Sequence, residues 1–422
     1  MIVGSTATAT PREDGGWNIK GQKIYITFGD HDMAENIVHL VLARTPDAPA
    51  GTRGISLFLV PKTRVNADGS LGEDNHVRTV SIEHKLGINA SPTCVLAYGE
   101  DGDSIGHLIG PEHGGMRAMF TMMNNARLNV GLQGVQIGER ATQQALAFAA
   151  ERVQSARAGG ESRDPIAILD HPDVRRMLMD QKAFLEGARA LTYWTAFQGD
   201  LQHKSPDEKV REKAGDYMAL LTPVIKAYLT HMGFEKANQA LQLHGGSGFT
   251  REWGLEQIVR DCRITLIYEG TNGVQALDLV GRKLASNGGR AVFSFFGEID
   301  EFISSVEGSA DMDPFVQGLS TLKGQLQEAT TWLMQNGMTD FNNAGASSHD
   351  YLHLFGLTGL AFMWAKMAKV ALDKKAEGDP FYDEKLTTGY YFVDRMVPDG
   401  AAHLAKVKTG AKSMMALPAE AF

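Results

Sequence analysis

Over the first hundred residues the apolar positions come in short alternating runs. WNIKGQKIYITFG (17–29) alternates and closes on glycine, while NIVHLVLAR (36–44) and GISLFLVPK (54–62) are apolar stretches stopped by TPDAPAGTRG and PKTRVNADGSLGED. Period two with Gly, Pro and Asp punctuation predicts strands and turns. RTVSIEHKLGINASPTCVLAYGED predicts two further strands around a glycine-containing loop. Strands at this spacing predict a β-barrel or sandwich over residues 1–108.

Near residue 110 the period changes. Met116, Met119, Phe120 and Met123 fall at i, i+3, i+4, i+7. Val174, Met177, Leu178, Leu185 and Ala188 mark a second helix, and Tyr217, Leu220, Leu221, Val224, Ile225, Tyr228 and Met232 a third. Each is a one-sided apolar stripe. Pro223 should bend the third helix or remove one of its hydrogen bonds. A fourth helix is predicted from Asn272 to about Leu284, giving an antiparallel four-helix bundle over 109–287. Residues 288–422 read as an additional helical domain, with NGMTDFNNAGASSHD as a loop inside it. The fold class is therefore α+β: a β domain, a bundle and an extra C-terminal helical domain.

Composition narrows the function. The chain has 422 residues, enough for two or three domains, and a net charge of −9 with no dense Lys/Arg block, which disfavours nucleic acid as a partner. Its two cysteines, Cys94 and Cys262, make no CxxC spacing, so neither a disulfide framework nor a thiolate metal site is expected, and a reducing, cytoplasmic setting fits. The most apolar window, YLHLFGLTGLAFMWA (351–365), carries a histidine and is shorter than the roughly 18 residues of a spanning helix, so no membrane partner is expected. No HExxH or G-x-S-x-G occurs, so no metal and no serine nucleophile are expected.

The candidate chemistry begins in TLIYEGTNGVQAL (265–277), where Glu269 follows four uncharged residues and precedes a glycine turn. An acid at the end of an apolar run loses hydration, and a pKa raised from about 4.3 toward roughly 6–7 would make it a general base near neutral pH. Locally, the plainer reading is a surface carboxylate ahead of a helix. LQLHGGSGFT (241–250) could present amides to a phosphate or simply end a helix. Thr27 in YITFGD could offer a hydroxyl to a flat ligand. Arg127 and Arg152 could each bind a phosphate or be solvated helix charges.

In order along one chain, GGWNIKGQKIYITFGD, ENIVHLVLARTPDAPAGTRGISLFLVPK and LQLHGGSGFTREWGLEQIVRDCRITLIYEGTNGVQALDL resemble the middle and C-terminal parts of the acyl-CoA dehydrogenase family. The likeness runs from about residue 5 to 285, and the tail resembles the extra helical domain of the larger members, with the 3-methylmercaptopropionyl-CoA dehydrogenase-like branch nearest. The YEGTNG motif with the preceding RD segment carries most of the specificity.

The resemblance implies FAD as cofactor and an acyl-CoA as substrate. It makes Glu269 the catalytic base that takes the α proton of the thioester. Its backbone amide would hold the thioester oxygen, with Tyr268 and Gly270 beside it in the substrate site. Tyr25, Ile26 and Thr27 match the strand along the flavin ring, and Thr271 a flavin-phosphate contact. Arg127 matches a helix arginine near the CoA portion. Arg152 matches a pyrophosphate contact, and Gln242, Gly245 and Gly246 an adenosine-side segment, both given to a neighbouring subunit in a homodimer or homotetramer.

Two departures stand out. Gly273 replaces the commoner Glu or Gln, and ERVQSAR replaces an RxxFG-type segment. The chain also opens near the end of a flavin-binding loop, so the resemblance implies that an N-terminal helical domain is lacking. Three functions stay open: a dehydrogenase passing electrons to electron-transfer flavoprotein in fatty acid metabolism, an acyl-CoA oxidase, or a non-catalytic, N-terminally truncated assembly fragment.

Overall fold

The computed structural model describes residues 7–337 and 339–422. They form two compact units that divide after residue 125.

In the first unit the strands are β1 (Thr8–Pro11), β2 (Trp17–Thr27), β3 (Val38–Arg44), β4 (Ile55–Pro61), β5 (Thr63–Val65), β6 (Leu71–Asp74), β7 (Val77–Ile82), β8 (Thr93–Tyr98) and β9 (Ser104–Ile109). β1 pairs with both β2 and β3, which closes β1–β3–β4–β9–β2 into a ring, and β8 and β7 continue outward from β2. Alternation puts Ile19, Val41, Ala43, Phe58, Val60 and Leu96 inside. The segment PKTRVNADGSLGED is more than a turn: it folds back as the β5–β6 hairpin, with Asn66 N–H donating to the Ser70 carbonyl at 2.9 Å. β2 bulges between Lys23 and Ile26, where Tyr25 takes φ +60°.

The helices are α1 (Gly115–Glu151), α2 (Pro172–Lys204), α3 (Glu208–Leu243), α4 (Gly246–Phe249), α5 (Leu255–Cys262), α6 (Asn272–Asp278), α7 (Arg290–Ser305), α8 (Asp313–Asn336), α9 (Phe341–Lys374), α10 (Pro380–Arg395) and α11 (Asp399–Thr409). A π turn, Leu279–Lys283, carries α6 onward. In the second unit α3 runs unbroken through Pro223. It meets α1 at van der Waals distance because both helices are glycine at the crossing. A Cβ on Gly233 would sit 2.3 Å from the Gly134 carbonyl oxygen.

The segment FNNAGASSHD, expected as a loop, is the start of α9. Asp340 caps it, its carboxylate accepting from Asn342 N–H at 2.9 Å, and Ala344, Ser347 and Ser348 are buried. The Ser347 hydroxyl donates to the Val407 carbonyl at 2.8 Å, so contacts with α11 override a polar local sequence. Every residue from Tyr351 to Ala365 is buried, which makes this apolar stretch the centre of a core. That core is continuous. Leu128, Phe184 and Tyr228 share it with Phe295, Phe315, Phe362, Trp364 and Phe392.

Candidate active site

A short-range conflict in the backbone marks the site. After α5 and a 3-10 turn (Arg263–Leu266), the chain reverses before α6. Two successive residues go left-handed, Glu269 at φ +55° and Gly270 at φ +89°. Glycine accepts that region freely, whereas a glutamate there is uncommon and strained by roughly 1–3 kcal/mol. A Cβ at position 270 would lie 2.6 Å from Gln275 Nε2.

Side chains hold the turn. Arg127 Nε donates to the Glu269 carbonyl at 3.3 Å and Gln275 Nε2 to the same oxygen at 3.2 Å. Lys226 Nζ donates to the Gly270 carbonyl at 2.7 Å and to Asn272 Oδ1 at 2.9 Å. Arg127, Lys226 and Gln275 are all buried, and Arg127 also lies 3.7 Å from the buried carboxylate of Asp278. Burial pushes the Lys226 amine down to about 7, helped by the charge of Arg127 and opposed by Glu269. Burial also lowers the Arg127 guanidinium. The Tyr268 hydroxyl donates to Gln133 Oε1, and Thr271 caps α6, its hydroxyl accepting from Val274 N–H at 3.3 Å.

What the turn leaves free is as telling. Glu269 is half-buried, and among the described residues its carboxylate has no hydrogen bond or ion pair and its amide N–H no acceptor. The apolar run ahead of it is only partly withdrawn from water: Thr265 is buried but Ile267 is 47% exposed. Leu266 and Ile267 line a cleft of about 390 Å³ with Arg263, Thr271, His231 and His353.

The sequence-predicted residues fall into three places. Arg127, Tyr268, Glu269, Gly270 and Thr271 come together at this turn. Arg152 directly follows α1, about 25 residues and so roughly 37 Å along the helix from Arg127. Gln242 lies in the last turn of α3 and Gly245 and Gly246 follow it into α4, beside the same end of α1: His244 stacks on Phe148 with centroids 4.3 Å apart. Arg152 and Gln242 are exposed, and open space surrounds a Cβ built at Gly245 or Gly246. An exposed guanidinium, an amide side chain and accessible glycine amides suit a pyrophosphate. In the first unit, Tyr25 and Thr27 are exposed and Ile26 half-buried at the β2 bulge, with Ile24 and Phe28 also outward. That apolar strand end suits a flat ring. The donor set and the apolar strand end therefore each fit one part of a flavin dinucleotide.

Sequence reading missed Lys226, Gln275 and Asp278. Lys226 did leave a signal, since it is the one charge inside PVIKAYL, on an otherwise apolar helix stripe.

Residues 113–284 match the family model described as acyl-CoA dehydrogenase, C-terminal domain, and residues 295–418 that described as acetyl-CoA dehydrogenase C-terminal like. The 3-methylmercaptopropionyl-CoA dehydrogenase of Ruegeria pomeroyi is 41% identical over 418 residues, 97% of this chain and 69% of that protein. Caenorhabditis elegans ACDH-11, solved in complex with C11-CoA, matches with a TM-score of 0.76 at 20% identity, over 93% of this chain and 61% of that one. An acyl-CoA dehydrogenase from Bacillus anthracis, solved complexed with FAD, gives 0.75 at 20% identity, over 96% of this chain and 66% of that one. At such identity these two structures establish the fold. The chain thus spans about two thirds of the length of these proteins.

Proposed function

We propose that this chain, which belongs to the acyl-CoA dehydrogenase family of FAD-dependent oxidoreductases, encodes the α,β-dehydrogenation of an acyl-CoA thioester to a trans-2-enoyl-CoA with Glu269 as the base. The observation that carries the reading is the left-handed turn at Glu269, whose carbonyls are tied down by Arg127, Gln275 and Lys226 while, among the described residues, its carboxylate and amide have no partner. Glu269 would remove the proton α to the thioester. Its amide N–H would donate to the thioester oxygen, where negative charge gathers as the proton leaves. FAD, when bound, supplies the acceptor for the hydride leaving the β carbon.

Arg127 would contribute its charge near the substrate while its Nε steadies the Glu269 carbonyl. Arg152, Gln242, Gly245 and Gly246 lie far along α1 and α3 from the turn, which supports their serving a second copy's cofactor in a homo-oligomer. The name of the Ruegeria relative supports a short, sulfur-bearing acyl group as the first substrate to try. Electron-transfer flavoprotein is the proposed electron acceptor, and the cytoplasm the proposed location.

The test is a single anaerobic turnover. FAD-loaded protein mixed with a saturated short-chain acyl-CoA should yield one enoyl-CoA per flavin. No enoyl-CoA from protein that retains its flavin would refute the reading. Stopped-flow reoxidation then separates acceptors: rapid reaction with oxygen would indicate an oxidase, and slow reaction with oxygen but rapid reaction with electron-transfer flavoprotein a dehydrogenase.

A further inference from the structure

Lys226 is more deeply buried than the other buried lysine among the described residues, Lys236, and its amine is bound to the turn that carries Glu269. It is fully buried on α3, in a stretch of otherwise apolar sequence, and among the described residues it forms no ion pair. A lysine kept in such a place costs several kcal/mol relative to an apolar side chain unless its polar head has partners. Its partners are two oxygens of the turn, the Gly270 carbonyl and Asn272 Oδ1. With burial lowering its amine to about 7, Lys226 spends part of its time neutral near physiological pH. A neutral amine still has two N–H donors, matching the two acceptors it meets.

The attachment continues into the helix. Asn272 Nδ2 donates to the Ala227 carbonyl and to Thr230 Oγ1, each at 3.1 Å, and the Thr230 hydroxyl donates to the Lys226 carbonyl at 2.6 Å. One turn of α3 is thereby laced to residues 270 and 272. Arg127 and Gln275 reach the Glu269 carbonyl at longer distances, 3.3 and 3.2 Å.

We propose that Lys226 is a positioning residue for Glu269: by holding the Gly270 carbonyl and the Asn272 side chain it fixes the 269–272 backbone in its left-handed turn, and so sets the base and its amide. It need not touch substrate or cofactor. The catalytic consequence rests on Glu269 being the base, but the mechanical claim does not.

The experiment compares wild type with Lys226→Met, which keeps length and apolar bulk and removes both donors. Hydrogen–deuterium exchange of the full chain without substrate should show faster uptake in the peptide covering 265–275 and unchanged uptake in α8 and α9. In FAD-loaded protein, kcat should fall roughly 10- to 100-fold while KM for the acyl-CoA and flavin content stay within about twofold, the cost of a misplaced base. Lys226→Gln, which retains an amide donor, should recover part of both effects. Wild-type exchange at 265–275 with wild-type kcat in folded Lys226→Met would overturn the proposal. A fall in kcat only in proportion to lost flavin or lost folded protein would overturn it too. Should Lys226→Met not fold, Lys226→Gln and Asn272→Ala carry the same comparison, and unchanged loop exchange in both is equally fatal. Glu269→Gln keeps the two claims apart. If it turns over normally the base assignment fails, while exchange at 265–275 still decides the role of Lys226.

Discussion

A glutamate at φ +55° beside a glycine at φ +89° is held there by its neighbours, and the cost of disturbing either is local. Gly270→Ala adds a Cβ 2.6 Å from Gln275 Nε2 in a region L-residues avoid. It should lower stability by about 1–2 kcal/mol in denaturant titration and lower turnover further than that loss explains. The motif was legible in sequence because YEGTNG puts an acid, a glycine and a helix cap in consecutive positions. Its supports were not. Lys226, Gln275 and Asp278 lie on α3 and α6, and nothing in a linear pattern says which buried polar groups will face one backbone turn.

Among the elements, the long amphipathic helices and the β-rich first hundred residues could be read from period alone. β1 and β9 could not, because each is four to six residues and gains its identity by pairing with β2 and β4. The start of α9 was hidden by its polar composition and is fixed by a cap and by α11. Asp340→Ala should cost about 1 kcal/mol, measurable as a shift in the denaturation midpoint. The α1–α3 crossing is a stronger constraint. Gly233→Val would drive a side chain into the Gly134 carbonyl, 2.3 Å from the first added carbon, and should cost about 3 kcal/mol or more, read as the same midpoint shift. A wild-type midpoint would mean that the helices do not cross this closely.

At the scale of the whole molecule, the main core of the second unit draws on helices from α1 to α11, with a smaller cluster around Ala145, Ala237 and Leu255, and a row of imidazoles lies in this unit. His353 of α9 has its ring centroid 4.8 Å from His231 of α3, 4.2 Å from His349 and 5.5 Å from His403 of α11, whose Nδ1 lies 2.8 Å from Asp350 Oδ1. Burial, the other three histidines and Lys406 push His353 down to about 2. Above the unfolded value of about 6.5 both states carry a neutral ring, so its stability contribution is complete there. Between 6.5 and about 2 the unfolded chain takes a proton that the folded chain refuses. Stability therefore falls as pH falls, by up to about 1.4 kcal/mol per pH unit for this group. Thermal scans from pH 7 to 4 should show that slope, and His353→Leu should flatten it. The measurement that bears most directly on function is the anaerobic bleaching of bound flavin by an acyl-CoA, in wild type and in Glu269→Gln. With Glu269 as the base, wild type bleaches while the variant keeps its flavin colour and bleaches slower by roughly 10²- to 10⁴-fold or more. Bleaching of Glu269→Gln at the wild-type rate would contradict the assignment.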